Sequence, residues 1–126
     1  MPTPWDALLT KLTAKLPHGK CAIFGQDGTP WTSLYSYDSQ QMKTVFSGFS
    51  NPEALRKDGP TIDGVKYFVT HVDNQLIRLK KGPTGVMVKK TLQTYVVCSY
   101  DEANQSADAV MVSLVSFGEY LEKMNF

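Results

Sequence analysis

The chain is poor in cysteine, in long apolar runs and in excess charge of either sign, and each shortage removes a class of protein. Its 126 residues hold 2 cysteines, Cys21 and Cys98. These are too few for the disulfide framework of a small secreted scaffold or for a four-thiolate zinc site, and they read as buried thiols of a reducing cytoplasm. Nowhere do about 18 apolar residues follow one another, as a membrane-spanning helix requires. Met1 to Asp6 has no basic stretch leading into an apolar run, the mark of an export signal. Lys and Arg number 13 against 12 acids, for a net charge of +1, so no bulk field draws the chain onto nucleic acid or a membrane. An electrostatic partner must be met by a local patch.

Catalytic equipment is equally sparse. Gly82-Pro83-Thr84-Gly85 follows a strand pattern but lacks the spacing and the Lys-Ser/Thr ending of a phosphate-binding loop, and it reads as a hairpin turn. His18, His71, Cys21 and Cys98 show neither metal-ligand spacing nor a nucleophile pattern. The expectation is a protein that is not an enzyme, with no catalytic residue, no metal and no cofactor.

What is present is a globular composition. Hydrophobic residues make up 42% and charged ones 20%, and a chain of this length can bury about two thirds of its extended surface, so residues 1–126 are expected to form one domain. Thr3 and Pro4 form a cap and first-turn pair for a helix to Leu16, with Trp5, Leu8, Leu9, Leu12 and Leu16 on one stripe and Pro17-His18-Gly19 ending it. Cys21 to Phe24 predicts a buried strand, turned by Gly25-Gln26-Asp27-Gly28 into a second around Trp31 to Leu34. Asp38 or Ser39 caps a helix carrying Met42, Val45, Phe46 and Phe49, and Asn51-Pro52-Glu53 opens a shorter helical turn. Four strands follow, Lys66 to Val72, Leu76 to Lys81, Val86 to Thr91 and Tyr95 to Tyr100, with connections short enough for an antiparallel meander. A last helix runs from about Ser106 to Met124. The order implies an α/β (α+β) fold, an antiparallel sheet covered by both terminal helices, and the short connections exclude parallel crossovers.

Two sets of residues stand out. Arg78, Lys80, Lys81, Lys89 and Lys90 give residues 78–90 a charge of +5 within a chain of +1, leaving −4 elsewhere. If the four-residue Gly82 to Gly85 loop sets the register, Lys80 faces Met87 and Arg78 faces Lys89, all on one side of the sheet. The set reads either as a solvated edge that discourages strand addition or as a dock for carboxylates or phosphates. The second set is aromatic: Trp5, Trp31, Tyr120 and Phe126. Antiparallel terminal helices bring Trp5 near the end of the last helix, and aromatic grooves of this kind dock polyproline helices.

In order along the chain, the Trp5 helix start, Ala22-Ile23-Phe24-Gly25, Asp27-Gly28-Thr29-Pro30-Trp31, Gly64-Val65-Lys66-Tyr67, Leu79-Lys80-Lys81-Gly82, Lys89-Lys90-Thr91, Tyr100-Asp101-Glu102 and Phe117-Gly118-Glu119-Tyr120-Leu121 resemble the profilin family, in its plant and amoeboid rather than its animal type. The resemblance implies a central antiparallel sheet with the terminal helices on one face and the shorter helices on the other. It implies a cytoplasmic, cytoskeleton-associated protein that binds monomeric actin, promotes its nucleotide exchange and regulates filament assembly, with a separate cleft for proline-rich proteins such as formins and weak, reversible binding of phosphoinositide lipids. By the resemblance, the proline cleft falls on Trp5, Leu8, Trp31, Tyr120 and Phe126, and the actin face on Lys66, His71, Arg78, Lys80, Val112, Val115 and Ser116. Phosphoinositides fall on Arg78, Lys80, Lys81, Lys89 and Lys90. Leu8 stands where the family usually has tyrosine, His71 where many animal members have arginine, and Ala103 to Asp108 is about one residue longer than the family's turn. The competing reading is a small-ligand sensor of PAS or GAF outline, which would need a deep pocket inside the sheet.

Overall fold

The computed structural model describes residues 4–16, 19–32, 35 and 37–126. Among these residues four helices, α1 (Pro4–Thr13), α2 (Ser39–Ser47), α3 (Pro52–Lys57) and α4 (Ala107–Lys123), are joined with seven strands: β1 (Cys21–Gly25), β2 (Thr61–Ile62), β3 (Val65–Lys66), β4 (Phe68–Val72), β5 (Leu76–Lys81), β6 (Thr84–Lys90) and β7 (Thr94–Asp101). Five strands form one antiparallel sheet in the order β1-β7-β6-β5-β4, and β2 pairs with β3 in a small sheet of its own. Asp38 caps α2 as expected, and Asn51 and Ser106 cap α3 and α4. Asp38 Oδ1 accepts from the Gln40 and Gln41 amides at 2.9 and 3.1 Å, Asn51 accepts from Ala54, and Ser106 Oγ accepts from Ala109 at 3.1 Å, each meeting amides that a helix start leaves without a backbone partner.

Alternation along the strands divides the core in two. Cys21, Ile23, Met87, Val96, Cys98 and Tyr100 pack beneath α1 and α4 with Leu9, Leu12, Val110, Leu114, Phe117 and Leu121. Ala22, Phe24, Ile77, Leu79, Val86, Val88 and Val97 point the other way, against Met42, Val45 and Phe46 of α2 and Leu55 of α3. The terminal helices run antiparallel: the Trp5 and Phe126 rings meet at one end, and at the other Gln105 Nε2 donates to the Lys15 carbonyl at 3.1 Å.

Several sequence expectations need correcting. The helix at the start closes at Thr13, and the chain reaches Leu16 through turns, with Leu16 N donating to the Leu12 and Thr13 carbonyls; the Thr3 cap and the Pro17-His18 stop lie outside the described residues. Among the described residues no second strand forms at Trp31. Only a Phe24–Pro30 bridge is made, because Thr32 satisfies the Ile23 amide with its hydroxyl, at 3.1 Å, in place of a backbone carbonyl; Ser33 and Leu34 are outside the described residues. The strand expected from Lys66 to Val72 is split at Tyr67, whose amide turns to the Pro60 carbonyl at 2.8 Å, and β4 carries a bulge between Val69 and His71.

The register of the basic hairpin also differs. Lys81 pairs with Thr84, so Gly82 and Pro83 alone make the turn, and Arg78 faces Met87 while Lys89 faces Leu76. Gly82 has φ of +58° at the first turn position, the feature of a tight type II′ connection, which glycine enters without a Cβ clash. A slip of two residues keeps every side chain on its expected face but separates the two cations that a longer loop would have opposed.

Candidate functional site

At the closed end of the terminal helices three rings gather. Trp5 and Trp31 lie with ring centroids 4.7 Å apart at 38°, and Phe126 meets Trp5 edge-on at 4.7 Å and 86°. All three are half-buried, as is Leu8 on the next turn of α1. Trp31 can lie down on β1 because Gly25 carries no side chain; a Cβ there would come within 2.7 Å of the indole Nε1. Its backbone is anchored to Ile23 at 2.9 Å. Phe126 is held by the β6–β7 turn: its backbone oxygen accepts from the Thr91 hydroxyl at 2.8 Å and from the Gln93 amide, while Gln93 Nε2 donates to the Asn125 carbonyl at 2.6 Å. Gln26 Nε2 ties the β1 turn to the Thr91 carbonyl at 2.8 Å. Three turns from distant parts of the sequence thereby fix a partly exposed aromatic cluster.

Tyr120 lies to one side of this trio. Its hydroxyl accepts from Lys11 Nζ at 3.0 Å, the same ammonium stands 4.7 Å from its ring centre, and its nearest described ring is Phe117 at 6.3 Å. It forms the boundary between the aromatic surface and an open groove of about 300 Å³ along the α1–α4 seam.

The second surface lies on the strand flank of α4. His71 pairs with Arg78 across the β4–β5 ladder, and Phe68 pairs with Lys80, so these four share the sheet face that carries α4. Arg78 Nη1 contacts Met111 Sδ at 3.8 Å, and its Nε is buried without a hydrogen-bond partner among the described residues. Lys80 reaches Glu102 at 3.2 Å. Tyr100 beneath them has its hydroxyl pKa raised, chiefly by burial, with Arg78 pulling the other way. Val112 is 61% exposed and Val115 half-buried. Ser116 faces the opposite flank and lines the α1–α4 groove, and Lys66 stands in the small sheet opposite Thr61.

His71 Nε2 lies 2.7 Å from Asp73 Oδ2. Although burial raises the Asp73 pKa, the amides of Gln75 and Leu76 together with His71 outweigh it and hold the carboxyl below its ordinary value. Sequence reasoning missed Phe68, which is 64% exposed with Lys81 Nζ 5.5 Å from its ring centre. An apolar ring at an exposed edge position was the available signal.

The basic hairpin does not form one patch. Arg78, Lys80 and Lys89 share a face by register, but Lys89 is only 5% exposed and is spent inward on Gln75 Oε1 and the Lys90 carbonyl, with Glu122 at 3.9 Å. Lys90 is paired with Tyr95, which packs with the α2 core. Four residues of strand, about 13 Å, separate the Lys80 end from the Lys89 end. No group of three metal-ligating side chains occurs among the described residues, and no described helix is long and apolar enough to cross a membrane.

The sequence profile described as Profilin matches residues 3–126. A profilin of Bombyx mori is 34% identical over 104 residues, covering 81% of this chain and 82% of that one. Profilin IA of Acanthamoeba castellanii superimposes with a TM-score of 0.87 at 27% identity, over 97% of this chain and 99% of that one. LokiProfilin1, solved in complex with rabbit actin, shares the fold with a TM-score of 0.73 at 17% identity, over 98% and 99%.

Proposed function

Because the chain belongs to the profilin family, we propose that it binds monomeric actin, promotes actin's nucleotide exchange and regulates filament assembly while holding proline-rich proteins, formins among them, in a separate aromatic cleft. The observation that carries the reading is the separation of two surfaces on one rigid sheet. The Trp5, Trp31 and Phe126 rings occupy the end of the terminal-helix pair, and the Arg78, Lys80, Val112 and Val115 surface occupies the strand flank of α4. One molecule can then carry both ligands at once. The PAS or GAF reading loses its ground, since both faces of the sheet are filled by packed side chains.

A preformed polyproline helix loses little conformational entropy on docking and lays its rings on flat aromatic faces. Actin meets Val112 and Val115 as the apolar centre and Lys66, His71, Arg78 and Lys80 as a polar rim, with Phe68 beside it. The Lys80–Glu102 pair is exposed and worth little, so an incoming carboxylate replaces Glu102 at small cost. The chain supplies no chemistry to the nucleotide; it accelerates exchange by binding an opened form of actin in preference to the closed one. Phosphoinositide headgroups meet the Arg78, Lys80 and Lys81 end of the hairpin, each cation contributing about 1 kcal/mol near an anionic surface, and the shared residues make lipid and actin exclusive. The working place of such a protein is the cytoplasm, at the cytoskeleton.

The test reverses two of the rim charges. Arg78→Glu with Lys80→Glu should slow association with actin and weaken it about tenfold or more, since rim charges chiefly steer encounter, while retention on polyproline resin is unchanged. Unaltered actin affinity in this variant would remove the surface from the account. Phosphoinositide vesicles that still cosediment the protein undiminished at saturating actin would place the lipid elsewhere.

A further inference from the structure

The groove beside Tyr120 continues the aromatic surface along the helix pair. Leu12 and Phe117, both buried, form its floor, Ser113 and Ser116 one wall, and Lys11 and Lys15 the other. The two lysines are its only charged lining groups among the described residues. Lys11 is fixed over the Tyr120 ring by a neutral partner, so its charge is positioned without being cancelled. Lys15 follows in the turn just past the end of α1.

We infer that this groove is a second subsite for the proline-rich segment and that it selects segments with an acidic residue flanking the proline run. The inference rests on the proline-cleft reading above and adds the ligand's sequence to it. Lys11 is six residues along α1 from Trp5, about 9 Å; Lys15 lies just past the end of α1, where the Ala14 and Leu16 amides still reach the carbonyls four residues back, so the same rise puts it at about 15 Å. A polyproline helix advances about 3.1 Å per residue, so carboxylates about three and five residues beyond the proline seated on Trp5 come level with the two ammonium groups. The floor takes a ring or aliphatic side chain between them. Ser113 and Ser116 can donate to the peptide carbonyls, which a polyproline helix leaves without internal partners. A chain of these dimensions fits a narrow seam whose cations are spaced along one line, whereas a multiply charged lipid headgroup calls for cations converging on one point.

The experiment uses the full chain and three synthetic peptides: a neutral ten-proline peptide, and the same run with Asp-Glu-Asp appended at either its amino or its carboxyl end. Affinities are read by tryptophan fluorescence at low and high salt. One of the two acidic peptides should bind about three- to tenfold tighter than the neutral one, the scale of one or two solvent-exposed ion pairs. High salt should erase the preference, Lys15→Gln should reduce it, and Lys15→Glu should invert it. Equal affinities for all three peptides would overturn the subsite while leaving the cleft intact. No binding of the neutral peptide at millimolar concentration would overturn the cleft and the subsite together. A preference that survives both Lys15→Glu and Lys11→Gln would put the acid elsewhere. Phosphoinositide vesicles bound through Lys15 in the absence of any peptide preference would make the groove a lipid site instead.

Discussion

Asp73 holds the turn between β4 and β5 with one carboxylate oxygen and His71 with the other. Oδ1 accepts from the Gln75 and Leu76 amides at 2.7 and 2.8 Å, and Oδ2 takes the imidazole. A carboxyl whose folded pKa is depressed stabilises the fold above its unfolded value and loses that contribution as pH falls through the folded one. Stability from this turn is therefore full near neutrality and lost below about pH 4, the ordinary aspartate range. Asp73→Ala should cost about 1 kcal/mol at pH 7, the scale of a lost turn or cap interaction, and thermal melts should show the difference from the parent shrinking below pH 4. Leu8 makes the second prediction at this scale. It is half-buried beside the aromatic trio, so Leu8→Tyr adds a ring and a hydroxyl to the surface. It should tighten oligoproline binding by about 1 kcal/mol, one aromatic contact, measured by fluorescence titration.

Among the elements, α4 depends most on what lies at its ends. Ser106 caps its start, and its last residues are held through Thr91 and Gln93 to the β6–β7 turn. Thr91→Val keeps the shape of a residue that is 5% exposed but removes the hydroxyl that the Phe126 oxygen and the Thr94 amide both use. Phe126 should then leave Trp5, and oligoproline binding should weaken several-fold with actin binding unchanged; wild-type affinity for oligoproline would mean that the tail does not build the cleft. This tether was invisible in the sequence, because it joins residues about 35 apart through a backbone oxygen, and no side-chain pattern announces it. By contrast, α4 was read to within one residue at each end, since a long apolar face is a local signal. The Leu76 to Lys81 strand was also read correctly, while its partner's register was not. Register depended on whether the turn used two residues or four, a choice made by backbone pairing of Lys81 with Thr84. Lys89 was read as surface charge because nothing local says that α4 crosses above it at Gly118.

At the scale of the whole molecule, the sheet holds the two surfaces at its opposite edges. β4 at one edge carries His71 and Phe68 towards the α4 flank, and β1 at the other edge seats Trp31. The fold class was legible because the helices carry apolar stripes and the last four strands are short runs joined by short connections; the two-surface geometry was legible only as far as the resemblance carried it.

Cys21 and Cys98 sit opposite each other on β1 and β7 with their sulfurs 3.0 Å apart, both fully buried. The neighbouring Cys21 sulfur and burial push the Cys98 thiol far above its ordinary pKa. Only the thiolate attacks an alkylating reagent, so a closed sheet should be silent to iodoacetamide. Any label acquired under native conditions would then time the departure of the edge strand from its neighbour, an excursion short of global unfolding. Because opening frees both sulfurs together, mass spectrometry should find chains with two labels or none, and singly labelled chains accumulating early would mean that the two thiols open independently. The molecule thus contains a built-in clock for the strand on which Trp31 rests, and the same clock, run with oligoproline bound, would report how firmly a ligand at one end of the helix pair latches the edge of the sheet beneath it.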